Sequence, residues 1–570
     1  MNSFQWKVGG QQGEGVDSTG EIFARMLFQH GFYVTTYKQF MSRIKGGHTN
    51  YKIRATTYPT QHAGDELDML LALDDETYEV NRSELKPTAL VLFDGDIKVE
   101  GTSEGHTLVS LPLRQIAKEI GNPLAKNMIA LGVSGGLVGL PREEFFSLIE
   151  QQFSNKGERI ISSNKLAVKK GYDLVQDHLS RFVQPLPTPD STRRMFISAN
   201  QAVAFGSLMA GCRFLSAYPI TPASEIMEWL SHELPKVGGT IMQVEDEIAG
   251  ITFAIGAAFA GARAMTSTSG PGLSLKTEAL GMAGMSETPL VIVDSQRAGP
   301  STGLPTKFEQ SDLQHILNAS HGEFPRIVLY PSTIGDSFYL AAEAFNLAEK
   351  YQCPVFLMLD LAMSMNKTTI LPIDVTRVSI QRGKILGEGD LKKLTEGFQR
   401  YRLTPDGVSP RVLPGTPGGV HVTSSNEHSE SGYITEDPEI RTKMMEKRMH
   451  KIQSAMSHRP FYATQPEAQT VVVAMGSTCG VVEEALQRLA EENRILGQLS
   501  LQQLHPLPVE ELRPYLTGKR VIVVENNYEG QLLNWLKQHL PIHSSAHSIR
   551  QYDGNPFQVK TVVEKIKELI

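Results

Sequence analysis

The stretch QVEDEIAGITFAIGAAFAGARAMTSTSGPG, residues 243–272, reads as a strand handing over to a helix, then a second strand ending in a glycine–proline turn. Its helical part carries Gly250, Ala254, Ala257 and Gly261 at spacings of three and four, small residues that let another element approach closely. Nearly all its other positions are apolar, which predicts a buried helix. Three carboxylates, Glu245, Asp246 and Glu247, stand at its start. An acidic first turn ordinarily stabilises the helix dipole and nothing more. A carboxylate leading into a buried helix also needs a partner, which makes these residues functional candidates.

The same grammar recurs outward from this stretch. Residues 67–73 (LDMLLAL), 89–93 (ALVLF), 264–268, 290–294, 355–359, 470–477 (TVVVAMGS) and 521–524 are short apolar runs bounded by glycine or polar residues, the pattern of buried parallel strands. The expected fold is α/β, in three domains: 1–180, 195–375 and 466–570. Between the first two lies a proline-rich linker, 181–194, whose QPLPTPDS (184–191) predicts an extended, solvated spacer. Between the last two lies a connector, 376–465. Its GVSPRVLPGTPGG (407–419) is turn chemistry and its MMEKRMHK (444–451) a charged helix.

Composition narrows the function classes. Of 570 residues 41% are hydrophobic and 21% charged, as in an ordinary globular chain. The net charge of −7 gives no reason to expect nucleic acid or an anionic membrane. Three scattered cysteines, Cys212, Cys353 and Cys479, suit neither a disulfide framework nor a Cys-rich metal site, so a reducing cytoplasm is the expected compartment. With no run of 18 apolar residues, and no charged-then-apolar start in MNSFQWKVGGQQGEG, neither a membrane span nor a secretory signal is expected.

Several loops are candidates for chemistry. GGQQGEG (9–15) is either a tight strand-to-helix turn or an anion site at a helix N-terminus. It departs from the dinucleotide GxGxxG, and no acidic residue ends a second strand, which counts against an NAD-linked dehydrogenase. SRIKGGH (42–48) adds Arg43, Lys45 and His48, a solvated basic loop by default and a phosphate contact otherwise. In SAYPITPASE (216–225) a strand ending at Tyr218 meets two prolines that fix a loop where open α/β sheets bind ligands. Thr221 offers a hydroxyl there, Ser224 can cap the following helix, and Glu225 sits in its first turn. TSTSGPG (266–272) and DSQRAGPSTGLPT (294–306) also follow strands, and Arg297 can take a carboxylate in a two-bond fork.

YPITP, VEDEIAG, TSGPG and QRAGPSTGLPT together resemble the pyrimidine-type domain of the 2-oxoacid:ferredoxin oxidoreductase family, alpha subunit. GGQQGEG, SRIKGGH and NPLAKNMIALG (122–132) are similar to that family's gamma domain, here fused ahead of alpha. GVSPRVLPGTPGG, EHSESGY (427–433) and MEKRMHK resemble its connector. VVVAMGSTCG (471–480), LHPLP (504–508) and VVENNYEGQL (523–532) look like its transketolase C-terminal-like domain. The gamma–alpha fusion with QRAGPSTGLPT looks most like the 2-oxoglutarate group.

The resemblance implies thiamine-diphosphate chemistry. The cofactor's C2 attacks the keto carbon of 2-oxoglutarate, CO2 leaves, two electrons pass singly to a [4Fe-4S] cluster and on to ferredoxin, and coenzyme A takes the acyl group as succinyl-CoA. The reverse carboxylation is the same chemistry run backwards. Carried over by the resemblance, Glu247 matches the glutamate on the cofactor's N1′, Thr221 binds the 2-oxoacid carboxylate, and Arg297 is its cationic partner with Thr306 nearby. Tyr218, Pro219, Ile220, Ser269 and Gly270 then line the cofactor. No GDG followed by Asn-Asn occurs, the nearest string Asp94-Gly95-Asp96 being reversed, and CxxC spacing is absent. The resemblance therefore puts Mg2+, the diphosphate end and the cluster on a beta subunit, in a heterotetramer of two alpha and two beta chains, and implies that this chain alone is inactive. Pyruvate or a branched-chain 2-oxoacid stays open as substrate. A nonenzymatic regulatory subunit is the other class, against which the intact Thr221, Glu247 and Arg297 count.

Overall fold

The computed structural model describes residues 3–41, 47–95, 105–122, 125–187, 189–190, 192–543 and 545–570. Arg43, Lys45, Asp96, Pro123 and Leu124 lie outside the described residues. The chain folds as two compact units, Met1–Ile197 with Asn366–Pro372, and Ser198–Met365 with Ile373–Ile570.

In the first unit one mixed sheet runs in the order Thr107–Leu111, Leu85–Asp94, Leu67–Ala72, Ser3–Gln11, His48–Thr56, Tyr33–Gln39, Lys367–Ile370, Met195–Ser198. The apolar runs LDMLLA and ALVLF are parallel neighbours in it, whereas Ser3–Gln11 and Tyr33–Gln39 both pair antiparallel with His48–Thr56. That last strand is buried throughout although it reads HTNYKIRAT. It can be, because its charges are met: Lys52 pairs with Glu84, which also takes Lys7 of the neighbouring strand, and Arg54 donates to the main-chain oxygen of His62. GGQQGEG forms a turn from strand to helix. Gly9 and Gly10 lie within the first strand, and the helix Val16–Gln29 starts after Gly15, whose φ of 90° suits glycine. Asn127 donates to the Glu14 main-chain oxygen and Lys126 pairs with the Glu14 carboxylate, so the turn is held from within the unit. The proline-rich segment is extended but not a free solvated spacer. The amides of Gln184 and Leu186 donate to the oxygens of Leu137 and Val138, and Val183 and Leu186 pack on the core.

The second unit holds two sheets. The larger runs Gln503–His505, Ile327–Leu329, Pro354–Asp360, Leu290–Gln296, Arg263–Thr268, Cys212–Ala217, Thr240–Gln243, parallel except for its first strand. The smaller runs Phe461–Thr464, Gly497–Leu501, Thr470–Met475, Arg520–Glu525, His547–Arg550, with its first pair antiparallel. The stretch 243–272 forms the strand–helix–strand unit its sequence predicts, with its helix at Glu247–Phe259. The expectation of a wholly buried helix is corrected. Ile251, Ala254 and Ala258 face inward, but Ile248 is 51% and Phe253 46% exposed, so the helix buries one face and offers the other.

The charged helix near the end of the connector spans Pro438–His450, capped by Asp437, and its last turn directs the charges of Lys447 and Arg448 inward. Lys447 and Lys451 both reach the fully buried Glu287, at 2.6 and 3.0 Å, and Arg448 pairs with Glu427 at 2.7 Å. Arg263, Arg382 and Arg411 converge on Glu349 in the same way. Turn-rich sequence lacking an apolar periodicity is fastened by buried ion pairs instead.

Candidate active site

Five parallel strands of the larger sheet, adjacent in the order 354–360, 290–296, 263–268, 212–217 and 240–243, end at one edge. Their loops gather Tyr218–Pro222, Glu245–Glu247, Ser269–Gly270 and Arg297–Asp312 where open parallel sheets bind ligands.

The three carboxylates are sorted by position. Glu245 is exposed, Asp246 caps the helix by accepting from the amide of Ala249 at 2.8 Å, and Glu247 is buried at 6% exposure. No described residue donates a hydrogen bond to the Glu247 carboxylate. A Cβ at Gly272 would stand 2.5 Å from its Oε1, so this glycine makes the room the carboxylate occupies. Beneath it is Lys276, fully buried, which donates to the main-chain oxygen of Glu247 at 3.0 Å and to Thr266 Oγ1 at 3.2 Å. Burial pulls the Lys276 amine down to about 8, against the opposing pull of the Glu247 and Asp246 carboxylates.

Thr221 and Arg297 are brought together: Arg297 Nη1 donates to the main-chain oxygen of Thr221 at 2.9 Å. Arg297 is buried, and its Nε finds no acceptor among the described residues. Burial lowers its ordinarily very high pKa and the nearby Asp312 carboxyl acts to raise it. The strand before the YPITP loop ends at Ala217 rather than Tyr218. Ser224 is the first residue of its helix instead of the cap, and the Ile220 oxygen receives the amides of Ala223 and Ser224. The loop is therefore closed by main chain, which leaves the Thr221 hydroxyl uncommitted to capping. Thr306 is buried further along the Arg297 loop.

Residues that sequence reasoning passed over complete this edge. Asp312 presses its carboxyl against Gly270, where a Cβ would meet Oδ2 at 2.7 Å, and its amide donates to Gln296 Oε1 at 3.0 Å. Asp294, fully buried two residues before the end of its strand, interacts with Asp312. Gln310 is the hub between the two sheets. Its Nε2 donates to Tyr330, Asp360 and the Met475 oxygen, its Oε1 receives Thr478, and its amide donates to the Asn526 oxygen at 2.8 Å. Asn526 and Asn527 thus fasten the loop that carries Gln310, which no local pattern discloses.

Among the described residues no three His, Cys, Asp or Glu side chains converge as an ion would require, and the three cysteines are buried apart. Nor is any described helix long and apolar enough to cross a membrane.

The class this architecture defines is given by family matches along the chain. A pyruvate ferredoxin/flavodoxin oxidoreductase family matches residues 5–174, its thiamine diphosphate-binding family 206–447, and its core domain II family 468–562. A 2-oxoacid:ferredoxin oxidoreductase subunit alpha from Sulfolobus sp is 32% identical over 99% of this chain and 96% of its own length. A 2-oxoglutarate oxidoreductase subunit KorA from Mycobacterium tuberculosis is 32% identical over 93% of this chain and 86% of its own length. Among solved structures, the 2-oxoglutarate:ferredoxin oxidoreductase from Magnetococcus marinus, with 2-oxoglutarate, coenzyme A and succinyl-CoA bound, is 35% identical with a TM-score of 0.93, covering 100% of both chains. The chain belongs to the 2-oxoacid:ferredoxin oxidoreductase family, as an alpha subunit. It is an oxidoreductase subunit with a thiamine-diphosphate-binding domain, and the alpha designation implies a partner subunit.

Proposed function

We propose that this chain is the alpha subunit of a 2-oxoglutarate:ferredoxin oxidoreductase, which forms succinyl-CoA, CO2 and reduced ferredoxin and is active only with a beta subunit. The observation that carries the reading is the buried Glu247 carboxylate, free of donors from the described residues, at the same sheet edge as Arg297 and Thr221. Thiamine diphosphate, when bound, supplies the nucleophilic carbon that attacks a 2-oxo group and takes up the electron pair released with CO2.

The chain's own residues fit that group. Glu247 offers an acceptor where the cofactor's N1′ would lie, and Lys276 anchors the helix start that carries it. Tyr218, Pro219 and Ile220 on one loop, with Ser269 and Gly270 on another, flank the position. Ser269 Oγ is buried and has no partner among the described residues. Arg297 supplies the cation for the 2-oxoacid carboxylate, with Thr221 and Thr306 as hydroxyl contacts.

Mg2+, the diphosphate end and the [4Fe-4S] cluster are assigned to the beta subunit, because the sequence lacks both motifs. Support for such a partner comes from the exposed side of the site: Ile248 and Phe253 on one helix and Leu275, 53% exposed, on the helix packed against it form an apolar face. The relatives named for 2-oxoglutarate favour that substrate over pyruvate or branched-chain acids. Co-expression with the beta chain, followed by a panel of 2-oxoacids with coenzyme A and methyl viologen, tests the reading. Preferential viologen reduction with 2-oxoglutarate is expected; preference for pyruvate would overturn the substrate, and a brown, active single-chain preparation the partnership.

A further inference from the structure

The Arg297 loop returns to the sheet through Asp312, and the surroundings of that residue are unusual. Asp294 is completely buried, yet neither of its carboxyl oxygens receives a donor from a neighbouring group, and Asp312 Oδ2 is in the same state. Each of the two carboxyls acts on the other's titration. Asp312 is itself only half-buried, but its Oδ2 is shut away from water beside the fully buried Asp294, and two anions there would repel, so a proton between them is favoured. A second observation stands beside the pair. The Arg297 guanidinium, more than nine-tenths buried, has an unpartnered Nε and feels the charge of Asp312.

We propose that Asp312 and Asp294 are a proton-sharing pair that gates Arg297: while both are protonated the guanidinium is free to hold a substrate carboxylate, and once Asp312 ionises it competes for that cation. Asp312 is thus a positioning residue acting through Arg297, and the inference rests on the reading of Arg297 given above.

The groups around Asp312 set the direction. Burial raises the titration of both carboxyls above the ordinary range; Glu309 adds to this at Asp312, whereas Arg297 opposes it. Glu309 itself accepts from the Gly299 amide at 3.2 Å and from Ser311 at 3.0 Å. His315, on the helix that Asp312 begins, has its own titration lowered by burial and by Arg326. The neighbours across the domain boundary, Asn527 and Gln531, are uncharged. Binding of a dianionic substrate should therefore draw a proton into the pair as pH rises.

Glutarate, an unreactive five-carbon dicarboxylate, is the probe, measured as a competitive inhibitor of the assembled, cofactor-loaded enzyme between about pH 6 and about pH 9. Its inhibition constant should stay level at the acid end, then climb by about tenfold per pH unit once the pair ionises. In Asp312→Asn the climb should vanish. Lys276 titrates in the same region but is retained in that variant, so a climb that persists there belongs to Lys276 and overturns the inference. A level profile in the unaltered enzyme overturns it as well. If Asp312→Asn does not fold, calorimetry of glutarate binding to the unaltered enzyme in two buffers of different ionisation enthalpy decides: uptake approaching one proton at the alkaline end supports the pair, and no uptake removes it. Arg297→Ala separates the two readings. Glutarate inhibition unchanged in that variant would sink the assignment of Arg297 and this inference with it. Weakened inhibition there, beside a level profile in the unaltered enzyme, would sink the inference alone.

Discussion

Glu247 rests against the bare α-carbon of Gly272. A Cβ at residue 272 would stand 2.5 Å from Glu247 Oε1 and 2.2 Å from Thr268 Oγ1, so the glycine of TSGPG sets where the carboxylate points. Gly272→Ala should push Glu247 aside at an overpacking cost of about 1–3 kcal/mol. Turnover in the assembled enzyme should fall by roughly tenfold or more, at about 1.4 kcal/mol per tenfold. Gly389→Ala is the control, because a Cβ there meets nothing within 4 Å. Equal activity of the two variants would show that the position of Glu247 does not matter.

Glu247→Gln removes the charge and keeps the shape. Acid–base participation of one side chain is typically worth about 10²–10⁴-fold, and a loss of that order is expected with subunit assembly intact. Glu245→Gln, at an exposed position, should remain near the parent. Steady-state viologen reduction compares the two. The opposite ranking would reassign the N1′ contact to Glu245.

The strand ends were legible because wholly apolar runs such as VFLML and VVVAM can be little else than buried parallel strands. The Thr221–Arg297 approach was legible only as two loops at strand ends, since the bond joins residues 76 positions apart through a main-chain oxygen. Lys276 was not legible. In LSLKTEAL it looks like any solvated helix lysine, and its burial follows from the packing of one helix on another. Asp294 and Asp312 escaped for the related reason that a carboxyl pair is defined in space, not by spacing. The buried face expected for the helix after Glu247 was half right, because apolar residues there serve two surfaces and the sequence does not say which is covered by this chain.

Lys276 gives a pH signature. Its folded-state value is lowered to about 8 from an ordinary 10.5. The folded protein therefore binds fewer protons than the unfolded chain between those values, and stability from this group rises with pH across that window. The charged lysine costs on the order of 3 kcal/mol below the window, and that cost disappears above it. Lys276→Met should remove this dependence. The difference in melting temperature between variant and parent, followed from about pH 7 to about pH 10.5, should shift steadily toward the parent. A difference independent of pH would mean the amine titrates normally.

Glu287 carries the opposite sign. Lys451, Lys447 and Arg400 oppose its burial and hold its carboxyl far below the ordinary range. Its contribution is complete above the ordinary carboxylate range and is lost only as pH falls through the depressed folded value. Glu287→Gln leaves two buried lysines without their counter-charge, and the cost should be about 3–5 kcal/mol at neutral pH. Thermal unfolding should show the deficit, shrinking below about pH 4. A loss under about 1 kcal/mol would mean the connector does not depend on this cluster.

Arg297 is the cation proposed for the substrate end of the site. Its guanidinium is fixed by the bond to the Thr221 oxygen, a geometry that a lysine ammonium on a flexible stem cannot reproduce while also presenting a planar fork. Arg297→Lys should therefore lose more kcat/KM than a charge-conserving change ordinarily does. Arg297→Ala should cost more, about 2–5 kcal/mol, because it breaks a buried charge pair with the substrate. The contact with Thr221 places the cation beside the residue assigned to the 2-oxoacid carboxylate, the end shared by every 2-oxoacid. Activity with 2-oxoglutarate and any residual activity with pyruvate should accordingly fall together in the alanine variant, measured as kcat/KM on both substrates. If 2-oxoglutarate alone were lost while pyruvate held, Arg297 would serve the distal carboxylate, and the cation for the keto-acid end would have to come from elsewhere in the assembled enzyme.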